Sequence, residues 1–219
     1  MQGKVTLEDH FAIEATLGDS QPFGAHVWPE LRYRLLDFHD QRLRLMDASG
    51  IETMIVSLNA PAIRGIADAR QAAELARRAN DTLAQEVGKR PDRFVAVAAL
   101  PMQDPALAAA ELKRCVRDLG FRGALVNGYS PAPDSRTPIH YDLPQYRSFW
   151  RTVAELELRS RNFAACFAPD RQRVVRRVSQ AEDHSWSPGR GAVILFVADR
   201  QQEQLDEGAS QIRRQKTRS

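Results

Sequence analysis

Between residues 5 and 157 the sequence repeats one pattern four times: a short apolar run of strand character, then a longer stretch with apolar residues at helical spacing. The strand-like runs are Val5-Thr6-Leu7, Met54-Ile55-Val56-Ser57-Leu58, Phe94-Val95-Ala96-Val97-Ala98 and Gly123-Ala124-Leu125-Val126-Asn127. The helical stretches are 29–47, 67–88, 105–118 and 143–157. Strands alternating with helices imply parallel strands joined by right-handed crossovers, which leaves a barrel or a doubly wound sheet. A complete (β/α)8 barrel typically takes roughly 250 residues. The chain has 219, and its pattern supplies about four units.

The second run is apolar almost without interruption and ends at Asn59-Ala60-Pro61, as expected of a strand buried on both faces. Pro29 suits the first turn of the first helix, and Gly50 closes that segment. A polar loop through Gly24 precedes it. In the second helix Ala73, Leu75, Ala76, Ala79 and Leu83 fall along one side, with the charges on a solvated face. Leu112, Val116 and Trp150 are expected to pack against the sheet as well.

Composition excludes several classes. With 43% hydrophobic and 27% charged residues the chain can bury a core. No stretch approaches the roughly 18 apolar residues of a membrane helix, and no secretory leader is visible, so the expectation is a cytoplasmic protein with no membrane partner. Cys115 and Cys166 have neither disulfide-framework nor metal-ligand spacing. The net charge of +3 hides an asymmetry: residues 159–219 hold 12 Lys and Arg against 7 Asp and Glu, whereas residues 1–158 are slightly acidic. Those arginines are scattered among Gln, Ser and acids with no interleaved aromatics, so nucleic acid is not an expected partner.

Leu7-Glu8-Asp9-His10 sits at the end of the first strand. Residues at i and i+2 share a strand face, so Glu8 and His10 are expected to point to one side, at the end where a barrel keeps its active site. A carboxylate and an imidazole so placed can ligate zinc or manganese, although two polar residues after a strand also serve as solvated or capping groups.

Several ordered motifs carry a resemblance. They are Gly3-Lys4-Val5-Thr6-Leu7-Glu8-Asp9-His10-Phe11-Ala12, Leu58-Asn59-Ala60-Pro61, Arg77-Arg78-Ala79-Asn80-Asp81, Arg90-Pro91-Asp92-Arg93-Phe94, Leu100-Pro101-Met102-Gln103-Asp104-Pro105 and Gly120-Phe121-Arg122-Gly123-Ala124-Leu125-Val126-Asn127-Gly128, extended by Tyr141-Asp142 and Phe149-Trp150. Together they resemble the gamma-resorcylate (2,6-dihydroxybenzoate) decarboxylases of the amidohydrolase-related, ACMSD-like family, over residues 1–158 only. The resemblance implies the N-terminal part of a (β/α)8 TIM-type barrel. It implies non-oxidative, metal-dependent decarboxylation of a small aromatic carboxylic acid, with Zn or Mn, no organic cofactor and a homo-oligomeric intact enzyme. It makes Glu8 and His10 metal ligands. Asn59 and Asn127, which follow the second and fourth strands, become candidates for substrate binding, or equally for turn formation, and Phe23 for packing against the ring. A metal-dependent hydrolase of the same barrel type and a non-catalytic fragment are the alternatives.

The resemblance also implies residues that are not recognisable here. The family's fifth strand normally reads Val-Pro-Phe-Tyr-Leu-His-Pro-Arg-Asn, its His a ligand, and a later strand supplies an Asp that is both ligand and proton donor. A fifth strand is due near residue 158, yet the chain continues Leu158-Arg159-Ser160-Arg161-Asn162-Phe163 and the apolar periodicity stops. His184, in Glu182-Asp183-His184-Ser185-Trp186, lacks the required context, and His26, His39 and His140 suit ordinary surface or packing roles. The catalytic proton donor is therefore unassigned. Residues 159–219 read as a divergent basic tail, partly disordered, in which only Val193-Ile194-Leu195-Phe196-Val197 is strand-like. A shifted reading frame accounts for so abrupt a break: codons for Arg159-Ser160 such as CGT-TCC contain GTT-CC out of frame, which can begin Val-Pro. Resequencing across the codons for residues 155–165 is expected to reveal the shift, and the present codons confirmed in frame would refute it.

Overall fold

A computed structural model of the chain describes residues 4–23, 25–126, 129–131, 138–162 and 193–197. Strands β1 (Lys4–Phe11), β2 (Ile51–Leu58) and β3 (Phe94–Ala96) pair in parallel in that order. Just past β3, Ala98 bridges in parallel to Ala124 of β4 (Gly123–Val126), its N–H donating to the Gly123 carbonyl at 2.8 Å. The four expected strands are thus adjacent, parallel and in sequence order. The arrangement is that of the first four units of a TIM-type barrel.

The helices cover one face of this sheet. Helix α4 (Ala69–Lys89) buries Ala72, Ala76, Ala79 and Leu83, and α5 (Pro105–Arg117) buries Ala108, Leu112 and Cys115. They pack on Met54, Val56, Leu58, Phe94, Ala96, Ala98, Ala124 and Val126, together with Phe149 and Val153 of α6 (Arg147–Glu155). Three alanines spaced by three or four residues let α4 approach the strands closely, because nothing beyond a Cβ stands between the backbones. Leu75, Val116 and Trp150 are partly buried against the same core. Asp68 caps α4 by accepting from the Gln71 N–H at 2.8 Å, and Asp104 caps α5 ahead of Pro105. On the opposite face Ile55 and Val97 form a smaller cluster with Val95 and Leu125.

Several expectations need correction. The stretch 29–47 is two helices, α2 (Trp28–Leu36) and α3 (Gln41–Ser49), not one. Asp37 breaks it: its backbone is extended and its carboxylate accepts from the N–H groups of Asp40 (3.1 Å) and Arg42 (2.8 Å), a local bonding pattern that competes with continuing the helix. Ahead of it, the presumed loop folds into α1 (Glu14–Leu17) and a 3-10 turn over Gly18–Phe23. In α4 the fully buried position is Ala72, with Ala73 only partly covered. The stretch 143–157 is a 3-10 turn at Pro144–Tyr146 followed by the shorter α6, ended by Glu157 at φ 52.

Beyond α6 the chain forms a strand where its apolar pattern had stopped. β7 (Leu158–Asn162) pairs antiparallel with β8 (Val193–Val197), which pairs antiparallel with β4. A short hairpin, β5 (Tyr129–Pro131) and β6 (Pro138–His140), follows β4. The strand reading of 193–197 holds, and the expectations for 163–192 and 198–219 lie outside the described residues. Among the described residues no helix is long and apolar enough to cross a membrane.

One polar cluster fastens the helix layer to the sheet. Asn80 of α4, 1% exposed, donates to the Ala99 carbonyl (2.9 Å) and accepts from the Ala99 N–H (2.9 Å). It also donates to Glu111 at 2.8 Å, which is held by Arg114, itself paired with Asp81 at 2.6 Å. Asn80→Ala leaves the Ala99 amide and one Glu111 oxygen without this partner, and an expected loss of about 3 kcal/mol in urea unfolding follows from stranding buried polar groups.

Burial acts to raise the Glu111 carboxyl, but hydrogen bonds from Arg114 and Asn80 outweigh it and hold the group below its ordinary value. Its stabilisation is therefore complete above the unfolded-state pKa of about 4.3 and is lost as pH falls through the lower folded value. Glu111→Gln is expected to be less stable than the unsubstituted protein at neutral pH. It should also lose less stability on acidification, as read from denaturant midpoints at about pH 7 and pH 3.

Candidate functional site

The parallel strands all end on one cavity of about 170 Å³. His10 comes from β1, Leu58 and Asn59 from the end of β2, Ala98 to Leu100 from the exit of β3, and Leu125 and Val126 from β4. Ala60 to Arg64, Met102, Gln103, Ser130 and Tyr141 complete the wall. This is the strand end at which barrel enzymes place their chemistry.

His10 is fixed at two points. Its ring Nδ1 lies 2.9 Å from Ser57 Oγ on β2, and its carbonyl accepts from Arg42 Nη2 at 2.9 Å. The register places His10 beside Ser57, with one extra residue in β1 between Thr6 and Asp9. Such a bulge re-aims side chains along a strand, which simple alternation does not capture. Arg42 also donates to the carbonyls of Arg34 (2.8 Å) and Asp37 (2.8 Å) and lies over the Phe38 ring at 5.2 Å. A cation at the C-terminal end of α2 complements the helix dipole. Burial pushes its pKa down, while Asp9 and Asp37 pull it back up.

Asn59 is 4% exposed and largely committed to the fold. Its side-chain amide donates to the Thr16 carbonyl (2.8 Å) and Ser20 Oγ (2.8 Å), and its backbone N–H donates to the Phe11 carbonyl (2.8 Å). That ties the segment after β1 to the end of β2. Its Oδ1 is buried without a hydrogen-bond partner, as is Oε1 of Gln103, whose Nε2 donates to the carbonyls of Ile63 (2.6 Å) and Ile66 (2.7 Å). Tyr141 and Ser130 share a hydrogen bond of 2.6 Å, and burial pushes the Tyr141 phenol well above its ordinary range, against the Ser130 bond. Tyr141 is therefore a neutral hydroxyl near pH 7.

Of the other expected site residues, Glu8 lies on β1 two positions before His10, and Phe23 closes the 3-10 turn Gly18–Phe23. Asn127 lies outside the described residues, directly after Val126 of β4. His39 bonds Glu86 at 2.8 Å, an ordinary tie between the α2–α3 junction and α4. Sequence reasoning missed Ser57, Arg42 and Gln103. For Ser57 a signal existed: it is the lone polar residue in the run Met54–Leu58.

As metal donors, the strand pair fits in part. The His10 ring borders the cavity, with Nδ1 2.9 Å from Ser57 Oγ. Among the described residues, however, no group of three or more His, Cys, Asp or Glu comes together.

Comparison with known proteins agrees with this architecture. The amidohydrolase family profile matches residues 23–159. Gamma-resorcylate decarboxylase of Rhizobium sp. (strain MTP-10005) is 64% identical over 159 residues, which is 72% of this chain and 49% of that protein. A crystal structure of 2,6-dihydroxybenzoate decarboxylase complexed with 2,6-dihydroxybenzoate superposes with a TM-score of 0.69 at 64% identity, over 72% of this chain and 49% of that one. Dihydroxybenzoic acid decarboxylase from Polaromonas sp. JS666, with bound manganese and the inhibitor 2-nitroresorcinol, gives 0.69 at 60% identity over 73% and 48%. The chain spans about half the length of the curated relatives it matches, and the match stops near residue 159 while the chain continues to 219. Family profile, identity and fold together place the chain in the amidohydrolase family.

Proposed function

We propose that residues 1–158 are the N-terminal, metal-binding half of a hydroxybenzoate decarboxylase whose substrate is 2,6-dihydroxybenzoate or a close isomer. The observation that carries the reading is His10, held by Ser57 at the cavity where four parallel strands end. Glu8 and His10 are the proposed ligands of a divalent ion. Manganese is favoured because the Polaromonas relative binds it, with zinc the alternative. The same reading assigns Phe23, Asn59 and Asn127 to the substrate side of the site, a cytoplasmic place in aromatic-acid breakdown, and a homo-oligomer for the intact enzyme.

In the net reaction the bond between ring and carboxylate breaks, its electron pair stays on the ring carbon, that carbon takes up a proton, and CO2 leaves. A divalent ion would supply Lewis acidity and a template for the carboxylate and ortho-phenolate oxygens. This chain's own part is to orient and to exclude water. Ser57 and Arg42 hold His10, Asn59 holds the loop after β1, and Leu58, Leu125 and Val126 give the cavity apolar walls. Among the described residues of the wall Arg64 carries a guanidinium, a group that suits a carboxylate.

A catalytic site of this kind normally needs three protein ligands, and the absence of a three-donor group among the described residues favours a second reading, in which these 219 residues do not turn over substrate. Purified as such, the chain is expected to bind manganese or zinc weakly and to release no CO2 above background from 2,6-dihydroxybenzoate. Replacing residues 158 onward with a family-like segment bearing the later-strand His and Asp should restore both. In that restored protein Glu8→Ala or His10→Ala should abolish turnover. CO2 release by the unmodified chain would overturn the second reading. Hydrolysis of an ester or lactone by the restored protein, without CO2, would overturn the first.

A further inference from the structure

We propose that the hydroxyls of Ser130 and Tyr141 act together as one hydrogen-bond donor to an oxygen of the ligand in the cavity, a specificity-determining pair for an aromatic acid. The inference rests on the reading of the cavity as a site for such an acid, and it adds which side chains recognise the acid's oxygens. Ser130 lies on β5 and Tyr141 directly after β6, and both border the cavity. The hairpin register, with Tyr129 opposite His140 and Ser130 opposite Ile139, brings the two residues within reach of each other. Their oxygens are 2.6 Å apart, and each residue is 2% exposed. The Tyr141 ring is held in place. It packs on Tyr146 at 5.0 Å between centroids, its carbonyl accepts from Trp150 Nε1 at 2.6 Å, and the Tyr146 hydroxyl donates to the Met102 carbonyl at 2.7 Å.

Each hydroxyl has one proton to give, and the bond between the two uses only one of them. Among the described residues neither side chain makes another hydrogen bond, so one proton is left over whichever oxygen donates to the other. Burial holds the Tyr141 phenol above its ordinary range, against the Ser130 bond and the charge of Arg64, so both protons are kept near neutral pH. A buried donor without an acceptor is unfavourable, and the cavity that both residues line, about 170 Å³, has room for one. The acceptor that fits an aromatic acid is a carboxylate or phenol oxygen, with an ordered water in its place when no acid is bound.

Calorimetry on the full chain with manganese present tests this, with 2,6-dihydroxybenzoate, benzoate and resorcinol as ligands. The proteins compared are the unsubstituted chain, Ser130→Ala, Tyr141→Phe and the double variant. Because the pair supplies a single donor, one of the two substitutions should weaken 2,6-dihydroxybenzoate roughly tenfold, and the double variant should lose no more than that one does. Benzoate should share the loss if the oxygen belongs to a carboxylate, and resorcinol if it belongs to a phenol. Folded variants that all bind 2,6-dihydroxybenzoate as the unsubstituted chain does, or two losses that add in the double variant, overturn the inference. If the variants fail to fold, a crystal structure of the unsubstituted chain decides. An oxygen of ligand or water should then lie within about 3.2 Å of Ser130 Oγ or Tyr141 Oη on the cavity side, and a pair without one overturns the inference. Such an oxygen, with none of the three ligands bound, upholds the donor and overturns the aromatic-acid reading instead.

Discussion

Strand β2 is buried on both of its faces, and that constraint organises the rest. Met54, Val56 and Leu58 face the helices, while Ile55 belongs to the smaller cluster opposite. A strand so enclosed can carry a polar side chain only where a partner waits, because an unpaired buried hydroxyl costs on the order of 1–3 kcal/mol. Ser57 meets that requirement through His10, and Asn59, one residue past the strand, through Thr16 and Ser20. The polar groups at the end of β2 thus fix the neighbouring strand and the loop behind it.

The same economy governs the helix layer. Asn80 grips both backbone groups of Ala99, and Ala99 lines the cavity, so the cavity wall is tied to α4 and, through Glu111 and Arg114, to α5. Arg42 does this for the first unit, joining the carbonyls at the end of α2 to that of His10. Three of the four strand ends are therefore tied at the cavity by a side chain bonded to main chain: Arg42 at His10, Asn59 at the end of β2 and Asn80 at Ala99. Such bonds have fixed geometry, whereas apolar packing alone is non-directional.

How legible this was depended on whether the signal was periodic or particular. The four strands, their parallel order and the buried sides of α4 and α5 follow from apolar spacing, which many residues report together. The break at residues 37–40 rests on Asp37 alone, and a single carboxylate that competes with a helix looks in sequence like any other polar residue on its outer face. Ala72 and Ala73 are indistinguishable by type, so only the true phase of α4 separates the buried from the half-covered one. At the site, Glu8 and His10 stood out by chemistry and spacing. The bulge between Thr6 and Asp9 did not, because nothing in Val5-Thr6-Leu7-Glu8 marks an extra residue. Arg42 and Gln103 act through contacts to carbonyls distant in sequence, which no local pattern encodes.

The far edge of β4 is where a fifth strand of a parallel barrel would pair. In a parallel barrel the next strand would lie beside β4 in the same direction and bring its C-terminal end, with any ligand there, to the cavity. Here β8 fills that edge antiparallel, with Val193 opposite Val126, so the strand beside the cavity enters it by its N-terminal end. β7 does run in the direction of β4, with Asn162 at the cavity end opposite Val193, but it sits one strand further away. Adjacent strands are about 4.8 Å apart, so Asn162 lies roughly twice as far across the sheet from Val126 as a fifth barrel strand would place its own end. Metal–nitrogen bonds of about 2.1 Å leave little tolerance for such a displacement. A donor set completed from these strands therefore requires β8 to leave the edge of β4 first.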